Sequence, residues 1–198
     1  MAIIVDKVQK RKDIAYSCKD LFIQNGINSL TISQIAKVAG VGKGTIYEYF
    51  NNKEEIVFEL VDIMMKEHSE RLHSTLSEQN SVKNMIKKFA EFFHTDENSG
   101  LRTIYKEFIS IALMTPNKEM LAFQTECFNN YYSWFEEIFK RGVQAGELIP
   151  QSLGLVRGIF VTAEGMFIAS TSTNAIDDLE KDLNSYIDNL FKLIEVKQ

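Results

Sequence analysis

Apolar residues recur at spacings of three and four from Ile14 almost to the carboxy end, and only two prolines and ten glycines stand among 198 residues. A chain with that period and so few backbone breakers buries one face per helix, which makes all-α the expected fold class. The first predicted helix runs over about 7–24, with Ile14, Cys18, Leu21 and Phe22 on its buried face, and Asn25-Gly26 ends it. Thr31, three residues before Gln34, forms a capping-box pattern ahead of a short helix over 32–39. Gly40-Val41-Gly42 breaks that helix, and a two-turn helix over 43–50 follows. A long one begins at Lys53-Glu54-Glu55, acidic where the helix dipole favours it, and carries Ile56, Leu60, Ile63 and Met64 to about 75. Longer helices are expected over 82–93, 101–114, 117–142, 151–169 and 176–196, with breaks at Thr115-Pro116, 146–150 and the polar run 170–174. Only Ile159-Phe160-Val161 offers a competing strand.

Composition narrows the class further. Hydrophobic residues make up 45% and charged residues 25%, ordinary for a globule and wrong for disorder. Cys18 and Cys127 form no CxxC pair, so neither a disulfide scaffold nor a thiolate metal site is expected. The amino end turns charged at Asp6-Lys7 and lacks the pattern of a secretory signal. The least polar long stretch, 153–172, contains Arg157 and Glu164, which argues against a membrane span; a cytoplasmic protein is the expectation. The net charge of -5 hides a polarity. Residues 1–53 hold eight Lys/Arg against four Asp/Glu, a net +4, and residues 54–198 hold fourteen against twenty-three, a net -9. Such a chain turns its head, not its body, toward a polyanion.

The segment with a mechanism is 32–50. A helix-turn-helix needs a small residue where its helices cross, a glycine opening the turn and an apolar plug inside it, and Ala36, Gly40 and Val41 stand in that register. Ile46 and Phe50 bury the second helix, which leaves Lys43, Gly44, Thr45, Tyr47 and Tyr49 variously outward. That set is rich in donors, with Glu48 its one carboxylate, and suits a groove lined by phosphates.

The run Thr31 to Phe50, continued by Asn52-Lys53-Glu54-Glu55-Ile56 and preceded by Ala15, Leu21-Phe22 and Gly26, resembles the amino-terminal signature of the TetR family of bacterial transcriptional regulators. The signature covers roughly 10–57. Where the family commonly caps the recognition helix with serine, Gly42 stands here, and where it often has histidine, Tyr49. The resemblance implies a helix-turn-helix DNA-binding domain over 1–52 joined to a helical ligand-binding and dimerisation domain over 53–198. It implies a homodimer, usually a repressor, on double-stranded palindromic operator DNA, released by a small-molecule inducer. By position, Thr31 caps a helix and touches a phosphate, Lys43 and Thr45 face the groove, Gly44 permits close approach, and Tyr47, Tyr49 and Lys53 reach phosphates.

Ten of fourteen phenylalanines lie between 89 and 167. Core packing explains any one of them, but the resemblance points for the group to a pocket among helices 82–94, 101–114 and 117–141. Phe89, Phe93, Tyr105, Phe108, Phe128, Tyr131 and Trp134 would line it, with Glu107, Gln124, Glu126 and Glu164 as polar anchors. Such a lining suits a hydrophobic or cationic compound. The last two helices carry more apolar surface than one flank should expose: Phe160, Phe167, Leu179, Leu183, Tyr186, Ile187, Leu190 and Phe191 are therefore expected at a two-fold interface.

Other chemistry has thin support. Gly42-Lys43 is followed by Gly44 rather than Ser or Thr, and Lys37 stands where a phosphate-binding loop needs its first glycine. His68, His73 and His94 make no metal-binding pattern, and His68 and His73 read as solvated helix positions. An enzyme, a metal and a cofactor are thus not expected. The competing class is a helical interaction or adaptor module without DNA contact.

Overall fold

The computed structural model describes residues 6–75, 80–114 and 118–197. Among them the chain forms ten α-helices: α1 (Lys7–Ser17), α2 (Lys19–Asn25), α3 (Ile32–Val38), α4 (Lys43–Tyr49), α5 (Lys53–Thr75), α6 (Val82–Ala90), α7 (Ser99–Met114), α8 (Lys118–Gln144), α9 (Val156–Ser172) and α10 (Leu179–Ile194). The expected break at Thr115-Pro116 and the side chain of His73 lie outside the described residues.

The helices depart from the sequence pattern at four places. The helix expected over 7–24 is two, because the Ser17 hydroxyl donates to the Ile14 carbonyl at 2.7 Å, and the Cys18 N–H turns to Ala15 instead at 3.1 Å. The helix expected over 82–93 tightens into a 3-10 turn at Glu91–Phe93. A 3-10 segment at Pro150–Leu155 precedes α9, which contains the Ile159-Phe160-Val161 run as helix, not strand: the first two are buried and Val161 is outward. The polar run stays helical to Ser172, since the hydroxyls of Ser170, Thr171, Ser172 and Thr173 donate back to carbonyls of the preceding turn.

The helices divide into two compact units, Met1–Glu70 with Gly100–Ala122, and Arg71–Ser99 with Phe123–Gln198. In the first, Ile14, Cys18, Phe22, Ile35, Ile46, Phe50, Ile56 and Leu60 are sealed from solvent. Burial raises the Cys18 thiol above its ordinary range, so it behaves as a small apolar side chain. His68 is buried as well, correcting its expected solvation: with Leu60, Met64 and Leu72 it marks every fourth position of the inner face of α5.

In the second unit α10 packs on α6 and α9. Phe139 of α8 and Phe191 of α10 meet with ring centroids 6.1 Å apart. Lys83 and Lys87 converge on Asp188 at 3.0 and 2.8 Å and hold its carboxyl below the usual range. Glu147 ties the start of α6 to the carboxy-terminal segment, its carboxylate accepting from the Val82 N–H at 2.7 Å and its carbonyl from the Val196 N–H at 2.9 Å. Phe160, Phe167, Leu183, Ile187 and Phe191, expected at the two-fold interface, are buried within this unit's own core. Tyr186 and Leu190 do face an open groove of about 510 Å³ between α9 and α10, with Met166 and the exposed Leu193, while Leu179 is half-buried at the start of α10.

Phe139→Ala removes a ring with no solvent exposure and should cost about 3–5 kcal/mol in urea unfolding. Leu113→Ala, at a side chain 76% exposed, should stay within about 0.5 kcal/mol of the parent.

Candidate nucleic-acid interface

The turn between α3 and α4 closes as a Schellman motif. Gly40 takes φ +66°, its N–H donates to Lys37 at 3.3 Å, and the Val41 N–H donates to Ala36 at 3.0 Å. At the other end of α3 the expected capping box is present: Gln34 N–H donates to Thr31 Oγ1 at 3.3 Å and Thr31 N–H to Gln34 Oε1 at 2.9 Å. Ile35, Ala36, Ile46 and Phe50 are buried, so α4 has one inner face. Lys43, Gly44 and Tyr47 stand exposed on the other, with Thr45 and Tyr49 half-buried beside them. Gly42 caps α4 with no side-chain bond, and an added Cβ at Gly44 would meet nothing within 4 Å.

Lys53 is placed differently from a free phosphate ligand. Its ammonium donates to the carbonyls of Ile27, Asn28 and Leu30 at 2.9, 3.3 and 3.3 Å, organising the loop that leads into Thr31. The same loop receives Glu107 of α7, whose carboxylate accepts from the Ile27 N–H at 3.4 Å and lies close to Gly26, at φ +69°. Beyond Phe50, Asn51 and Asn52 exchange bonds with Glu55 and cap α5. Arg11, with no role in the sequence reading, joins three elements: Nε donates to Glu59 of α5 at 2.6 Å, the guanidinium donates to the Tyr49 carbonyl, and its carbon sits 4.3 Å from the Phe50 ring centroid. Contacts separated by 38 to 48 residues leave no periodic trace.

The residues expected at a ligand pocket separate into two groups. In the first unit Tyr105 stacks on Phe108, which meets Phe58 edge-on, and Glu107 is engaged at the Gly26-Ile27 turn. In the second, Phe89 is a hub, with the ring centroids of Phe93, Tyr131, Trp134, Phe135 and Phe160 between 4.7 and 6.2 Å away. Phe128 joins through Phe160 at 4.9 Å. Burial drives the Tyr131 phenol well above its ordinary range, so it stays neutral. Trp134 lines an open cleft of about 510 Å³ with Met85, Ile138 and Arg141. Gln124 and Glu164 are half-buried, and Glu126 is exposed. Among the described residues no cluster of His, Cys, Asp or Glu is placed to hold a metal, and one helical stretch, Pro150–Ser172, is long and apolar enough by composition to cross a membrane.

Comparison with known proteins agrees with this geometry. The model of "Bacterial regulatory proteins, tetR family" matches residues 19–60. The fatty acid metabolism regulator protein of Bacillus subtilis is 30% identical over 146 residues, 72% of each chain. The HTH-type transcriptional regulator QacR of Staphylococcus aureus is 26% identical over 177 residues, 85% of this chain and 89% of that one. The structure of the Bacillus subtilis regulator FadR in complex with stearoyl-CoA superposes with a TM-score of 0.66 at 26% identity, covering 90% of this chain and 96% of that one. A transcriptional regulator from Saccharomonospora viridis, in complex with choline, shares the fold at a TM-score of 0.78 and 14% identity, covering 96% and 99%. With its helix-turn-helix head and helical carboxy-terminal part, the chain belongs to the TetR family of transcriptional regulators, DNA-binding proteins rather than enzymes.

Proposed function

We propose that this protein is a repressor that binds a palindromic operator as a homodimer in the cytoplasm and lets go when a hydrophobic or cationic small molecule binds. The observation that carries the reading is the outer face of α4, where Lys43, Gly44 and Tyr47 stand exposed on a helix whose inner face is locked by Ile46 and Phe50. Lys43 and Thr45 are assigned to base edges, and Thr31, Tyr47 and Tyr49 to phosphates, which position the head without reading sequence. Lys53 serves the same interface by holding the loop ahead of Thr31. The division of labour is a DNA-binding domain over 1–52 and a ligand-binding and dimerisation domain over 53–198.

The dimer surface is the α9–α10 groove with Met166, Tyr186, Leu190 and Leu193, apolar side chains that line one open face of the second unit. Inducer is assigned to the Phe89 cluster and the adjoining cleft at Trp134. The relative solved with stearoyl-CoA favours the hydrophobic end of that range.

Selection from a random duplex library should return an inverted repeat whose half-sites lie about 34–36 Å apart or a multiple of it, and recovery of no sequence would overturn the proposal. Gly44→Ala should leave the fold at least as stable, since alanine gains about 1 kcal/mol over glycine in a helix, and yet weaken operator binding because the added methyl meets the duplex. Leu190→Asp with Leu193→Asp should give folded monomers in sedimentation. Trp134→Ala should raise the concentration of stearoyl-CoA or of the active inducer needed to release operator, with unliganded affinity unchanged in fluorescence anisotropy.

A further inference from the structure

We propose that Arg11 is a positioning residue for DNA recognition: it pins the carboxy end of α4 to α1 and α5 and so sets the pose of the groove-facing helix without touching DNA. The inference rests on the reading of α4 given above. A helix of seven residues leaves its last carbonyls, Tyr47 to Tyr49, without an intrahelical partner, and is too short to hold its own direction. At its start α4 has Gly42, which offers no side-chain cap. At its end the Tyr49 carbonyl receives the Arg11 guanidinium, whose face covers the buried Phe50 ring at 4.3 Å and whose Nε is held by Glu59 at 2.6 Å. Three contacts on one planar group define a direction, which a single point contact does not.

The arrangement has a second consequence. Glu59 lies on α5, so a displacement of that carboxylate reaches the Tyr49 carbonyl through one rigid side chain. The Asn51, Asn52 and Glu55 caps that start α5 are independent of Arg11, so its loss is felt at α4 rather than at the junction.

The test compares the full-length parent, Arg11→Gln and Arg11→Lys on an operator duplex obtained by the library selection, with affinity read at several salt concentrations and hydrogen exchange followed by peptide. Arg11→Gln should bind on the order of ten- to a hundredfold more weakly, the scale of one charge-assisted hydrogen bond left unmade. Its salt slope should match the parent, because no phosphate contact is lost. Exchange should rise in peptides covering 46–50 while those covering α8 and α10 stay unchanged, and Arg11→Lys, which keeps the charge but not the fork, should fall between the two. Parent-like affinity in Arg11→Gln would overturn the proposal. So would a slope reduced by about one per subunit, which marks a phosphate contact, or faster exchange throughout the chain, which marks general stability. Should Arg11→Gln fail to fold, Glu59→Ala removes the α5 arm of the fork alone and is held to the same outcomes. Failure of the parent itself to select any duplex would instead remove the DNA-binding reading.

Discussion

The left-handed turn at Gly40 is the constraint on which the amino-terminal surface depends. Its positive φ lets the Val41 N–H fold back to Ala36, so α4 leaves α3 at a fixed crossing and lays Ile46 and Phe50 into the core. Once those two are buried, helical geometry alone decides that Lys43, Gly44 and Tyr47 point away. The remaining bonds of the head refine that pose. Thr31 and Gln34 close the start of α3, Lys53 and Glu107 grip the loop before it, and Arg11 holds the far end of α4. A short helix presented this rigidly loses little order on binding, which leaves more of each contact for affinity.

The second unit meets two demands with the same residues. Phe89 and its neighbours supply core stability through edge-on and tilted ring contacts, and a regulator that responds to ligand must also open part of that cluster or border it. Trp134 is half-buried at the edge of a cleft, whereas Phe89, Phe93 and Phe135 are buried. On the proposed reading, that gradient is where a ligand would enter without dismantling the core. The α9–α10 face is divided differently: its inner stripe of Phe160, Phe167, Leu183, Ile187 and Phe191 packs within the unit, and Tyr186, Leu190 and Leu193 line the outer groove proposed above for a partner.

Where structure is set by neighbours along the chain, it was legible in the residues. The capping box at Thr31, the glycine turn and the Ile46–Phe50 spacing named α3 and α4 within a residue, and α5 began at Lys53 as its acidic first turn required. The sequence could not say which apolar stripe meets its own chain and which meets another, because both have the same period; five residues expected at the interface are buried within the second unit. It also concealed single hydrogen bonds that override a good pattern, as when the Ser17 hydroxyl takes the carbonyl that would have continued α1. Long-range polar contacts were the least visible. Glu107 looked like a pocket anchor because it stands among aromatic residues, and the turn it serves is 80 positions away; the pairing of Arg11 with Glu59, 48 positions apart, left no pattern to find.

The central claim is that α4 is carried into the major groove by a two-fold pair of heads. Hydroxyl-radical footprinting of the dimer on its selected operator tests this most directly, because it maps contacted sugars along each strand. Two protected patches on one face of the duplex, related by a dyad and centred about 34–36 Å apart or a multiple of it, are the result the account predicts. Protection spread evenly around the helix, or a single patch without a dyad, would contradict it.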